Sequence, residues 1–197
     1  MLMLDNGLST HDKILMLADT LIQQRGFQGF SYADLEKGIG IKKASIHHHF
    51  PAKTDLGLAY CEYKIAGFNR LALRLSELPP GLQRLQGYID TFSLCADKGE
   101  MCGVYAMLSD SHQFPAELQQ AVADLARREL DILEDILITG QQQGEIRLNA
   151  VSAAEYAVII SSSIKGALML NRLPPYTSYL ATRDALITLL DGRSHGD

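Results

Sequence analysis

The stretch Ser31-Tyr-Ala-Asp-Leu-Glu-Lys-Gly-Ile-Gly-Ile-Lys-Lys-Ala-Ser-Ile-His-His-His-Phe-Pro-Ala-Lys53 decides the fold. Ser31, with Asp34 three residues on and just ahead of Leu35 and Ile39, is a short-armed capping box, in which the hydroxyl accepts from an otherwise unpaired first-turn amide. The helix that begins there runs only to about Ile39, because Gly38 and Gly40 flank that residue and glycine closes helices in the left-handed conformation. A second helical pattern opens at Ile41 or Lys42, sets Ile41, Ala44 or Ser45, Ile46 and Phe50 at helical spacing, and stops against Pro51. Two short helices around a glycine turn make a helix-turn-helix pattern.

The second of these helices has a cationic outer face. From Lys37 to Thr54 there are four lysines (Lys37, Lys42, Lys43, Lys53) and no acid, and the outward positions hold Lys43, His47 and His48. Lysine supplies a point charge to phosphate or a donor to guanine, and a histidine ring can meet phosphate oxygens, a base edge or a thymine methyl. A metal reading of His47-His48-His49 fails on geometry. Successive helical residues point roughly 100° apart, so three in a row cannot converge on one ion.

With the helix before it, this stretch resembles the TetR family of ligand-responsive transcriptional repressors. The landmarks run from Ile14 to about Leu58: Arg25-Gly26-Phe27, the Ser31 cap, Gly40-Ile41, the block Ile46-His47-His48-His49-Phe50, and Lys53-Thr54-Asp55-Leu56. Two positions depart from the family pattern. Lys42 stands where Ser or Thr usually opens the second helix, and His47 where Tyr is usual. Both positions resemble DNA-contacting ones, Tyr32 matches a contact position, and Lys53 matches the register of a phosphate-contacting lysine. Taken with the outer face, the candidate DNA-binding residues are Ser31, Tyr32, Lys42, Lys43, Ala44, Ser45, His47, His48, His49 and Lys53. His49 is expected nearer the backbone or partly packed.

A chain of 197 residues, 47% apolar, is long enough for one small domain and one larger one. Its net charge of -5 argues against a general nucleic-acid coat, so DNA contact must come from a local patch. Cys61, Cys95 and Cys102 lack CxxC spacing and read as reduced thiols. The opening Met-Leu-Met-Leu-Asp-Asn-Gly lacks the basic and apolar regions of a signal peptide. The most apolar window, Ala153 to Leu170, is broken by Glu155, three serines and Lys165, which reads as too polar for a membrane span. A cytoplasmic protein with no membrane partner is expected.

Helical periodicity continues throughout, and the fold class is all-α. A first helix capped by Ser9 or Thr10 ends at Gly26; a long one runs from about Lys53 to Glu77, before Pro79-Pro80-Gly81. Further helices are expected at roughly 82 to 97, 100 to 110, 115 to 141, 152 to 171 and 177 to 191, the fourth opened by the capping box Ser152-Ala-Ala-Glu155. The expected division is a helix-turn-helix head over 1–52 and a helical regulatory and dimerisation body over 53–197. The helix over 152–171 is apolar on nearly all sides and laced with Ser161, Ser162, Ser163 and Gly166, so it needs cover all round. With the helix over 177–191 it forms the expected two-fold dimer contact, in agreement with the resemblance, which implies dimerisation through the last two long helices.

Phe68, Tyr88, Phe92, Cys102, Tyr105, Met107 and Met169 are candidates to line an effector cavity. Cys102 is either a small buried hydrophobe or a thiol that senses electrophiles. No GxSxG, phosphate loop or paired catalytic acids occur, so neither an enzyme nor a cofactor is expected. The resemblance implies a homodimeric regulator, a repressor on palindromic double-stranded operator DNA, released by an unknown small-molecule effector. The alternatives are release through modification of Cys102, or a helical protein-interaction module without DNA binding.

Overall fold

The computed structural model describes residues 7–193. Among them the regular structure is helical, apart from one isolated bridge between Ile146 and Asp191. In order the helices are α1 (Thr10–Arg25), α2 (Tyr32–Ile39), α3 (Lys43–His49), α4 (Lys53–Ser76), α5 (Leu82–Asp90), α6 (Ser93–Lys98), α7 (Gly103–Asp110), α8 (Ala116–Gln142), α9 (Ala153–Leu170) and α10 (Ser178–Leu190), with a short 3-10 turn at Ser111–Gln113.

The expected helix over 82 to 97 is two helices. Its break has local causes: Thr91 Oγ1 donates to the Tyr88 carbonyl at 2.7 Å and Ser93 Oγ to that of Asp90 at 2.8 Å. The Ile89 carbonyl accepts the Tyr179 hydroxyl at 2.7 Å and the Phe92 amide at 3.0 Å. Carbonyls that would bond amides four residues on are thereby taken, and hydroxyls close to the backbone favour a turn.

The chain forms two compact units. The first is Met1–Ile65 with Gly103–Leu125, the second Ala66–Cys102 with Ala126–Asp197. The segments 53–65 and 103–125 thus go with the first unit, whereas the sequence division at residue 52 placed them in the body. In the first unit α1, α2 and α3 bury Ile14, Ala18, Ile22, Leu35 and Ile46, each fully inaccessible. Burial of a side chain such as Ile46 stabilises by roughly 1.5–3 kcal/mol. Phe27 stacks edge-on against Phe114 with ring centroids 5.3 Å apart, and the Asp110 carboxylate accepts the Gln28 amide at 2.9 Å. These two contacts fasten the α1–α2 link to the segment after α7.

In the second unit α10 packs on α9 and α5. Tyr88, Leu133, Ile160 and Leu190 lie in its core. By length and composition α9 would reach across a bilayer, with mean hydropathy 1.3, which the sequence reading did not expect. It is nonetheless tied by charge to α8: Lys165 Nζ donates to Glu129 at 2.6 Å and also to Ser161 Oγ. Val158, Ile159 and Leu170 of α9 and Leu180 and Leu189 of α10 remain exposed.

Candidate nucleic-acid interface

The helix-turn-helix is set by its termini. At the start of α2 the Ser31 amide and hydroxyl both donate to the Asp34 carboxylate, at 2.8 and 2.7 Å. The hydroxyl thus acts as donor to the carboxylate. These bonds, with Arg25 nearby, hold the Asp34 carboxyl below its ordinary range. Gly40 ends α2 with φ 79° and ψ 24°, a left-handed conformation that costs glycine little and other residues more.

Lys42 stands at the cap of α3 without a side-chain cap bond. The Glu36 carboxylate, from α2, accepts the Lys43 amide at 3.2 Å instead. One of the unpaired donors of the first turn is thereby satisfied by a neighbouring helix. Ile46 and Phe50 point into the core, at 0% and 2% exposure. That orientation leaves Lys42, Lys43, Ala44, His47 and His48 exposed, with Ser45 and His49 half-buried. His49 lies 6.1 Å from the His11 ring, and His11 itself packs on Phe50 at 4.9 Å.

Two candidates are engaged within the fold. Tyr32 is buried, and its hydroxyl donates to the carbonyls of Phe50 and Ala52, at 2.9 and 2.8 Å. Burial, with Asp55 close by, pushes that phenol up to about 12. Tyr32 therefore positions the turn between α3 and α4. Lys53 turns inward: its ammonium donates to the Phe30 carbonyl and lies 4.5 Å from the Phe30 ring and 5.1 Å from Phe27. Burial lowers its pKa, opposed by Asp110 and Asp34. Ser31 stays exposed at the head of α2.

The turn itself is closely bonded. The Ala52 amide donates to Asp55 at 2.7 Å, the Leu56 amide to the Ala52 carbonyl at 3.3 Å, and His47 Nδ1 lies 3.2 Å from the Pro51 carbonyl oxygen. Sequence reasoning missed Glu36 and the two hydrogen bonds of the Tyr32 hydroxyl. Glu36 precedes Lys43 by seven residues across a turn, and no local spacing rule marks such a pair.

The effector candidates divide between the units. Tyr105 and Met107 belong to the first; Phe68, Tyr88, Phe92, Cys102 and Met169 to the second. Tyr88 and Phe92 meet edge-on at 5.5 Å, and the Tyr88 hydroxyl donates to buried Glu129 at 2.7 Å. Phe68 and Cys102 are buried, whereas Met169 is half-exposed. Two open clefts in the second unit, about 310 and 630 Å³, have other walls: the first lies along Ala72, Arg84 and Arg128, the second along Lys98, Asn171 and Tyr176.

Residues 14–60 match the family model described as bacterial regulatory proteins, tetR family, and residues 81–183 match the tetracyclin repressor-like C-terminal domain. The chain is similar to the HTH-type transcriptional regulator CymR of Pseudomonas putida, 29% identical over 44% of this chain and 43% of that protein. It also resembles the negative transcriptional regulator IcaR of the biofilm operon icaADBC in Staphylococcus aureus, 40% identical over 23% of this chain and 24% of that one. The chain thus spans less than half the length of either relative. Among solved structures, a TetR-family transcriptional regulator from Agrobacterium tumefaciens aligns with TM-score 0.84 and 28% identity, covering 92% of this chain and 97% of the other.

Proposed function

This chain belongs to the TetR family of DNA-binding transcriptional regulators, and on that premise we propose that it represses from a palindromic operator and leaves it when a small molecule binds the helical body. The observation that carries the reading is the exposed face of α3. Lys42, Lys43, Ala44, His47 and His48 face solvent while Ile46 and Phe50 anchor the helix. Ser31 is exposed at the head of α2 and Ser45 half-buried on α3, and the chain works in the cytoplasm, where operators are.

The operator partner is a homodimer built through residues 152–171 and 177–191. Exposed Val158, Ile159 and Leu170 on α9 and Leu180 and Leu189 on α10 supply its apolar surface. Gly166 on α9 has open space where a Cβ would project, which admits a close helix. Each head reads one half-site, with half-sites about 34–36 Å apart or a multiple of that spacing. Effector and operator then oppose one another reciprocally, by a coupling of roughly 1–3 kcal/mol.

The test is binding to duplexes selected from a random library, measured against salt. Log affinity should fall linearly with log salt, about 0.9 per phosphate contact. Lys43→Ala should weaken binding and alter the selected sequence. Lys53→Ala should destabilise the head as well as weaken DNA binding, since its ammonium is bonded to Phe30. Affinity that ignores salt would favour a protein-interaction module.

A further inference from the structure

We propose that His47 determines operator sequence as a hydrogen-bond acceptor, its Nε2 reading the exocyclic amino group of an adenine or cytosine in the major groove. The inference rests on the placement of α3 in that groove and goes on to assign the chemistry of one contact.

His47 Nδ1 lies 3.2 Å from the Pro51 carbonyl oxygen. A carbonyl oxygen has no proton to give, so Nδ1 carries the hydrogen and donates it. A neutral imidazole holds one ring hydrogen, and the nitrogen without it can only accept. With Nδ1 committed, Nε2 presents a lone pair from the other side of the ring. Position 47 is exposed, one helical turn beyond Lys43 on the outer face.

The lock is rigid because its acceptor is. The carbonyls on either side of Pro51, those of Phe50 and Ala52, both receive the buried Tyr32 hydroxyl. The Tyr32 ring also packs on the His47 ring, centroids 4.8 Å apart. Tyr32 is thus a positioning residue for the imidazole, holding both the peptide it bonds and the plane it lies in.

In the major groove, donors are few. Adenine offers N6 and cytosine N4, whereas guanine O6, thymine O4 and both purine N7 atoms are acceptors. An acceptor at Nε2 therefore favours adenine or cytosine and repels the carbonyl edges of guanine and thymine. A tyrosine at this position would carry a hydroxyl able to donate or accept, and would discriminate less.

The test uses the full-length chain in mildly alkaline buffer, where imidazoles are neutral. Duplexes selected by the wild type are resynthesised with purine in place of single adenines, or 2-pyrimidinone in place of single cytosines, each removing one exocyclic amine. At one position per half-site the wild type should lose roughly 3- to 10-fold in affinity, the range of one net hydrogen bond. His47→Phe, which keeps a ring against Tyr32, should show no loss at that position. His47→Gln, whose amide can turn either way, should bind while tolerating guanine or thymine there. Tyr32→Phe should blunt the discrimination with His47 intact. If His47→Phe instead weakens every duplex alike and flattens the salt dependence, His47 is a phosphate contact and the proposal fails. If no amine position responds to His47→Phe while Lys43→Ala still shifts sequence preference, the proposal fails but the DNA-binding reading stands. A wild type that selects no duplex ends both.

Discussion

Lys165 of α9 donates to the carboxylate of Glu129 of α8 at 2.6 Å, and that glutamate side chain is 1% exposed. The other carboxylate oxygen receives Tyr88 at 2.7 Å, so both oxygens of the buried charge are bonded. Removing one partner from such a pair is far more damaging than never having had it, because the remaining charge loses its compensation. Lys165→Met should lower the unfolding free energy by about 3–5 kcal/mol. Pairing it with Glu129→Gln should restore much of the loss, as read by urea denaturation. Tyr88→Phe should cost roughly 1–3 kcal/mol, the penalty of one unpaired buried acceptor.

Glu36 offers a second test. Its bond to the Lys43 amide replaces the side-chain cap that Lys42 cannot make. Glu36→Ala should destabilise the first unit by about 0.5–2 kcal/mol, as loss of a cap does elsewhere. Lys42→Ser supplies a local cap and should raise the melting temperature, while reducing the slope of log affinity against log salt if Lys42 meets a phosphate. Thermal unfolding and salt-dependent binding report the two effects separately.

Acid should loosen the start of α2. Asp34 is held below its ordinary value of 3.8 by its bonds from Ser31 and by Arg25. A carboxyl depressed in the folded state stabilises above its unfolded pKa, and that contribution is lost as pH falls from there through the lower folded value. Stability measured from neutral pH downward should decline less steeply for Asp34→Asn than for the native chain. An identical decline in both would assign the acid sensitivity to other carboxylates, such as Asp12 and Glu155, which are depressed in the same way by Ser9 and Ser152.

The thiols should react in a set order. Burial pushes the Cys61 thiol up to about 12, so it resists alkylation in the folded state. Cys102 is 4% exposed and Cys95 is half-buried. Brief treatment with iodoacetamide, mapped by mass spectrometry, should label Cys95 first and the other two only as the chain opens. Electrophile-driven loss of DNA binding that vanishes in Cys102→Ser would instead identify Cys102 as a sensor and support the modification switch.

The helices were legible because their ends carry chemistry that local spacing reveals. Ser31 with Asp34, Ser152 with Glu155, and Gly26 and Gly40 past their helices mark termini with little dependence on tertiary context. The break at Thr91-Phe92 was not legible, since one of its causes is the Tyr179 hydroxyl, 90 residues away in sequence. The candidate interface divides along the same line. The outward set on α3 follows from the inward spacing of Ile46 and Phe50. The inward turn of Lys53 depends on the Phe30 carbonyl and the commitment of Tyr32 on those of Phe50 and Ala52, whose positions only the folded chain provides.

The carboxylate that accepts the Lys43 amide sits on a different helix from the cap residue whose side chain makes no such bond. Because Glu36 secures the entry to α3, the side chain of residue 42 makes no cap bond there and can be exchanged without losing one. A descendant of this regulator can therefore drift toward a new binding sequence at that position without first rebuilding its head, so long as the glutamate upstream is kept.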